Sequence, residues 1–161
     1  MVSLNQIVHS MHVAAFPGRF RQDPPDDVVA HAFKEGIEAS TSYWLLAEEE
    51  QVCGFLSADF RQRDESWHSI AHHVCYLGGI VVSPHSRRLG IARALLAELK
   101  REASVRSVDR IELDVWRFNN EARMAFASLG FHSIMERMTL SVSEPNPQDG
   151  GGQPATRPES K

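Results

Sequence analysis

Residues Leu77–Ala97 read LGGIVVSPHSRRLGIARALLA. The apolar run Val74–Val82 is rich in β-branched residues, as a central strand buried on both faces would be. Ser83-Pro84 stops it. From Arg88 to about Glu102 the apolar residues Ile91, Leu95, Leu96 and Leu99 fall on one face of a helix. The turn into that helix carries Arg87-Arg88-Leu89-Gly90-Ile91-Ala92. A helix N-terminus offers N–H groups without intrahelical partners and the positive end of its dipole, which suits a phosphate or pyrophosphate. Gly90 and Ala92 remove side chains that would keep an anion off the backbone, and Arg87 and Arg88 can add charge-assisted hydrogen bonds. Taken alone, the window also fits an ordinary strand–loop–helix with solvent-facing arginines. It is not a Walker loop, since no Gly-Lys-Ser/Thr follows. It is not a dinucleotide fingerprint either, since the glycine spacing is absent.

Upstream, Ser3-Leu4-Asn5-Gln6 has the form of a capping box, and a helix to about Ala15 follows until Pro17-Gly18 ends it. A second helix is expected over Asp26–Glu38. Tyr43–Glu48 and Val52–Phe60 read as a hairpin around the polar turn 48–51, with a charged loop over Arg61–Ser69. Downstream, Ile111–Val115 reads as a strand and Asn120–Leu129 as a helix closed by Gly130. His132–Val142 alternates as a last strand. The order predicts a mixed α/β sheet with helices on both faces. One domain over residues 1–143 is expected, with a disordered tail over 144–161 that is rich in Pro, Gly and polar residues.

The chain has 161 residues, which suits one such domain. Its net charge of −4 and pI near 6.0 argue against a nucleic-acid partner, which would call for a basic surplus. Basic residues cluster only around Arg87, Arg88, Arg93, Lys100 and Arg101, so a small anionic ligand is expected. No apolar run is long enough to span a bilayer and no secretory signal is visible, so a cytoplasmic protein without a membrane partner is expected. Cys53 and Cys75 lie in strand-like text and read as buried free thiols.

A second window, Asp114-Val115-Trp116-Arg117-Phe118-Asn119 leading into Asn120–Phe131, makes the reading specific. Together with the first it resembles the GNAT superfamily of acyl-CoA N-acyltransferases. The family's first motif, Arg/Gln-x-x-Gly-x-Gly/Ala after a strand ending near Val-x-Pro, is matched by Val82, Pro84, Arg87, Gly90 and Ala92. Its second, Asn-x-x-Ala-x-x-x-Tyr-x-x-x-Gly-Phe, is matched by Asn119, Ala122, Gly130 and Phe131, with Phe126 in place of the tyrosine. The resemblance covers about Tyr43–Leu140. It implies a GNAT-like, mostly antiparallel twisted sheet and an acetyl-CoA-dependent N-acetyltransferase that acylates a primary amine, of a small molecule or a protein, by direct attack.

Further roles follow from that resemblance. Backbone groups of Ile80, Val81 and Val82 are expected to pair with the pantetheine arm, and an N–H near Val82 to hold the developing oxyanion. Arg87, Arg88, Leu89, Gly90, Ile91 and Ala92 are expected to cradle the pyrophosphate. Asn119 and Phe126 are expected on the cofactor side. The family's tyrosine protonates the leaving thiolate, and a phenyl ring at 126 cannot. A non-catalytic acyl-CoA-binding protein of the same fold is the alternative that this residue favours. The family often begins with a strand before its first helix. Its absence here predicts a bare sheet edge, which invites pairing with a second copy.

An alkylammonium must lose a proton before it attacks. Asp114 stands five residues before Asn119, where ribosomal-protein N-terminal acetyltransferases place a glutamate base, and strand parity sets it opposite Ile111, Leu113 and Val115. Tyr76 matches the place of a glutamate in histone acetyltransferases and a histidine in serotonin N-acetyltransferase. It shares strand parity with Gly78, Ile80 and Val82. With a reference pKa near 10, tyrosine suits an acid or a water-ordering group better than a base. His68, His72 and His73 read as loop histidines, with no metal expected. His9, His12 and Phe16 are candidates to line an acceptor pocket.

Overall fold

A computed structural model describes residues 1–140 and residue 142. Three antiparallel strands, β1 (Ser42–Glu48), β2 (Val52–Arg63) and β3 (His72–Val82), pair in chain order. β4 (Ile111–Glu112) joins β3 in parallel, so the sheet runs β1-β2-β3-β4. A parallel pair needs a crossover, and helix α3 (Ile91–Val105) supplies it. Helices α1 (Val2–Ala15) and α2 (Asp26–Glu38) precede the sheet, and α4 (Asn120–Ser128) follows it. By internal contacts the chain divides into two compact units, Met1–Val8 with Pro24–Val115 and His9–Asp23 with the chain from Trp116 onward.

In the first unit both sheet faces are covered. Directly paired residues of an antiparallel ladder share a face, so Phe55, Ser57, Asp59 and Arg61 present one side of β2 and Gly54, Leu56, Ala58 and Phe60 the other. On the first side Phe55 and Val81 bury against Leu4 of α1, with Ile7, Val8, Phe33 and Trp44 around them. On the second lies α3: a Cβ at Gly54 would stand 3.3 Å from the Ile91 Cγ2. Leu95, Leu96 and Leu99 of α3 are buried. The expected class holds, a mixed and mostly antiparallel sheet with helices on both faces. β1 forms one edge among the described residues.

Several expected boundaries move. α1 starts at Val2, its first bond running from the Asn5 N–H to the Met1 carbonyl, so Ser3 lies inside the first turn rather than at a cap. β2 runs on to Arg63, which places Arg61 in a strand and not in a charged loop. β4 is two residues long where five were expected. No strand forms over 132–140: the alternation of apolar and polar residues is there, but a strand also needs a paired ladder, and Ile134, Met138 and Leu140 are exposed. The expected tail, 144–161, and the expected domain end at 143 lie outside the described residues. Both cysteines are buried free thiols, as expected. No helix among the described residues is long and apolar enough to cross a membrane.

Candidate active site

The β3–β4 ladder consists of the pairs Cys75↔Ile111 and Tyr76↔Glu112 and goes no further. Beyond Tyr76 the stretch Leu77–Val82 stays paired to β2 on one side, while on the other no strand continues alongside it among the described residues. An extended ligand with amide groups could pair there as an added strand. Ile80, Val81 and Val82 all lie on this stretch. At its end the Ser83 N–H donates to the Cys53 carbonyl at 2.7 Å, which ties the strand end to β2.

After Val82 the chain makes a short 3-10 turn, Pro84–Ser86, and then two left-handed residues, Arg88 (φ 63) and Gly90 (φ 83). The helix therefore begins at Ile91, three residues later than Arg88, and Gly90 is its cap without a side-chain hydrogen bond. The first helical bond runs from the Ala94 N–H to the Gly90 carbonyl at 2.9 Å. The N–H groups of Ile91, Ala92 and Arg93 precede that bond, which leaves the positive end of α3 available to an anion. A Cβ built on Gly90 meets nothing within 4 Å, so the glycine faces open space. Arg87, Arg88 and Leu89 are exposed beside it.

Tyr76 and Asp114, the two candidates for proton transfer, meet. The Tyr76 hydroxyl donates to the Asp114 Oδ2 at 3.2 Å. The face of Tyr76 differs from the expectation. Ser57 pairs with Gly79 and Ala58 with Leu77, so Gly78 is an extra residue in β3, a bulge. One inserted residue reverses the parity of everything before it. Tyr76 therefore shares its face with Gly79 and Val81, not with Ile80 and Val82, and pairs directly with Asp59. Asp114 lies past the end of β4, in line with the Tyr76↔Glu112 pair.

Two side chains complete this group that sequence reading did not single out. The Arg61 guanidinium carbon lies 4.2 Å from the Tyr76 ring centroid, and its Nη2 donates to the Asp59 Oδ2 at 3.0 Å. The strand extension through Arg63 puts Arg61 there, where a charged loop was expected, and Asp59 stands within the strand already expected. Cys75, next to Tyr76, points to the opposite face and is fully buried. Burial pushes its thiol up to about 11, so it stays protonated at neutral pH and is no nucleophile.

In the second unit Asn119 caps α4: its Oδ1 accepts from the Ala122 N–H at 3.0 Å. The helix ends as expected at Gly130 (φ 98). The Phe131 N–H donates to the Phe126 carbonyl and the Gly130 N–H to the Ala127 carbonyl, each at 3.0 Å, the two bonds of a Schellman motif. Phe126 and Phe131 supply its apolar contact, ring centroids 5.6 Å apart and edge to face. His12, Phe16, Phe20, Trp116 and Phe118 form an aromatic cluster with centroids 5.1–6.2 Å apart. His9 Nε2 lies 2.7 Å from the Arg21 carbonyl. His68 and His72 bond locally, to Ser66 and to the Ile70 carbonyl, and no cluster of metal-ligating residues occurs among the described residues.

The acetyltransferase (GNAT) family model matches residues 5–131. No curated protein matches the chain. Among solved structures, a tetramutant of the BH1408 protein from Bacillus halodurans is similar at a TM-score of 0.79 and 23% identity, over 88% of this chain and 91% of that one. The aminoglycoside 6'-N-acetyltransferase AAC(6')-Ih from Acinetobacter baumannii is similar at 0.64 and 21%, over 89% and 94%. The aminoglycoside N-acetyltransferase AAC(6')-Iy in complex with CoA is similar at 0.60 and 22%, over 71% and 86%. At these identities the likeness is one of fold.

Proposed function

The chain belongs to the GNAT acetyltransferase family, and on that premise we propose that it moves the acetyl group of acetyl-CoA to a primary amine by direct attack. The observation that carries this is the stretch Leu77–Val82, open on the β4 side among the described residues, which leads through the turn at 83–90 into the glycine-led start of α3. Backbone groups of Ile80–Val82 take the pantetheine arm, and the N–H groups at Ile91 and Ala92 take the pyrophosphate, with Arg87 and Arg88 beside them. Leu89 flanks the turn, and Gly90 keeps the approach clear. An N–H near Val82 stabilises charge on the thioester oxygen.

Asp114 is the base and Tyr76 its partner. The carboxylate accepts the amine proton, directly or through water, and the Tyr76 hydroxyl bonded to it orients the acceptor oxygen. Phe126 supplies no proton to the leaving thiolate, which departs as the anion or takes its proton from water. A non-catalytic acyl-CoA-binding protein is the second reading, favoured by Phe126 alone.

A panel of amines tests the choice, including aminoglycosides, polyamines and peptide N-termini, with acetyl-CoA and mass detection of product. Acetylation of one class with stoichiometric CoA release is expected. Acetyl-CoA binding by calorimetry without turnover on any amine would establish the non-catalytic reading.

A further inference from the structure

We propose that Arg61 is a positioning residue that holds Tyr76 against Asp114, with Asp59 as its anchor; this rests on the catalytic reading of the Tyr76–Asp114 pair. The four side chains come from β2, β3 and the segment after β4, and they form a continuous chain of contacts. Asp59 is the direct cross-strand partner of Tyr76. Two residues further along the same face of β2, Arg61 reaches back to Asp59 Oδ2 at 3.0 Å and lays its guanidinium 4.2 Å from the centre of the Tyr76 ring. The ring then carries its hydroxyl to Asp114 at 3.2 Å.

The ring needs such a hold. Tyr76 is only part-buried and Asp114 is exposed, so packing alone does not select the rotamer that makes their hydrogen bond. A cation over an aromatic face at an exposed site favours the stacked arrangement by about 2- to 5-fold. Arginine can do this while still bonding a carboxylate, because its planar group stacks by its face and donates from its rim. Lysine offers a compact, strongly hydrated charge with no planar face to stack, so it holds the ring less firmly. Asp59 is already occupied by Arg61, which fixes the guanidinium over the ring. The effect on the reaction runs through Tyr76, since Arg61 itself is not placed against the reacting atoms.

The chain has two tyrosines, so a Tyr43→Phe background leaves Tyr76 as the sole tyrosine. In that background, with ¹³C-labelled tyrosine, Arg61→Ala is expected to move the ring resonances of Tyr76 towards averaged, exposed values. With a competent amine, Arg61→Ala should lower kcat by about 2- to 5-fold and leave the KM for acetyl-CoA unchanged. Arg61→Lys should fall between Arg61→Ala and the parent. The loss should vanish when Arg61→Ala is added to Tyr76→Phe, because an effect routed through the hydroxyl cannot be lost twice. Unmoved Tyr76 resonances overturn the proposal, as does an undiminished loss on the Tyr76→Phe background. If the parent acetylates no amine, the functional reading fails by itself, and the resonances still decide whether Arg61 orders Tyr76.

Discussion

The Tyr76 hydroxyl donates to the Asp114 carboxylate at 3.2 Å across 38 residues of chain. In a pair of this kind the two members are unequal. The carboxylate can only accept hydrogen bonds, whereas the phenol donates here, so the two have different parts in the proposed proton transfer.

Asp114→Asn should therefore be the more damaging change. It keeps the shape and removes the basicity, and loss of a general base costs about 10²–10⁴-fold in kcat. The dissociation constant for acetyl-CoA should barely move, because the proposed cofactor contacts lie on Ile80–Val82 and Arg87–Ala92. Tyr76→Phe should cost far less. Turnover of Asp114→Asn within about threefold of the parent, at saturating amine and neutral pH, would remove Asp114 from the mechanism.

The left-handed conformation of Gly90 and its proposed role at the pyrophosphate separate by substitution. Its φ of 83 is a conformation in which a side chain costs about 1–2 kcal/mol, and Asn tolerates it better than most. Gly90→Glu should abolish acetyl-CoA binding in calorimetry, because its carboxylate enters the space proposed for the pyrophosphate. Gly90→Asn should bind more weakly than the parent but measurably, with a small loss of melting temperature. Full affinity in Gly90→Glu would move the anion site elsewhere.

Phe126→Tyr restores the tyrosine of the motif that this segment resembles, for which an acid role is proposed. The ring should keep its contact with Phe131, so the helix end should stay intact. Turnover is expected to hold or rise, measured as kcat at saturating substrates. A large fall in kcat with unchanged acetyl-CoA affinity would show that the bare phenyl ring is needed.

Cys75 makes stability depend on pH. Burial raises its thiol from 9.0 to about 11 in the folded protein, so the unfolded chain ionises first. The contribution is fully present below pH 9 and is lost as pH rises towards 11, by about 3 kcal/mol at most. Urea unfolding of Cys75→Ala against the parent isolates this from other groups that titrate there. The stability difference between the two should shrink from pH 8 to pH 11. A constant difference would mean that the thiol is not desolvated.

The strand–turn–helix that carries the proposed cofactor contacts was legible in the sequence because its composition states its conformation: apolar strand, proline stop, arginines, glycine, amphipathic helix. The start of the helix was not, since the left-handed Arg88 has no local signal. The face of Tyr76 was misread for one reason. Parity counting assumes an unbroken two-residue period, and Gly78 breaks it. Arg61 escaped because a run of charges resembles a solvated loop, and Asp59, although inside the expected strand, carries no signal of its cross-strand partner. The last expected strand shows the converse. Alternation over 132–142 identifies a segment fit to be a strand, but pairing is a property of two segments, and no residue type within one of them reports the other.

The brevity of the β3–β4 ladder also has a dynamic meaning. The meander β1–β2–β3 joins neighbours in sequence, whereas β4 closes on β3 only after α3 and only through two residue pairs. Amide exchange should be slow in Phe55–Ala58 and much faster at Ile111 and Glu112, since local opening is easiest where few bonds must break. A ligand that supplies a missing strand would slow exchange along Leu77–Val82. The protein would then be at its most ordered there only while loaded, so occupancy could be read from the backbone itself without any assay of chemistry.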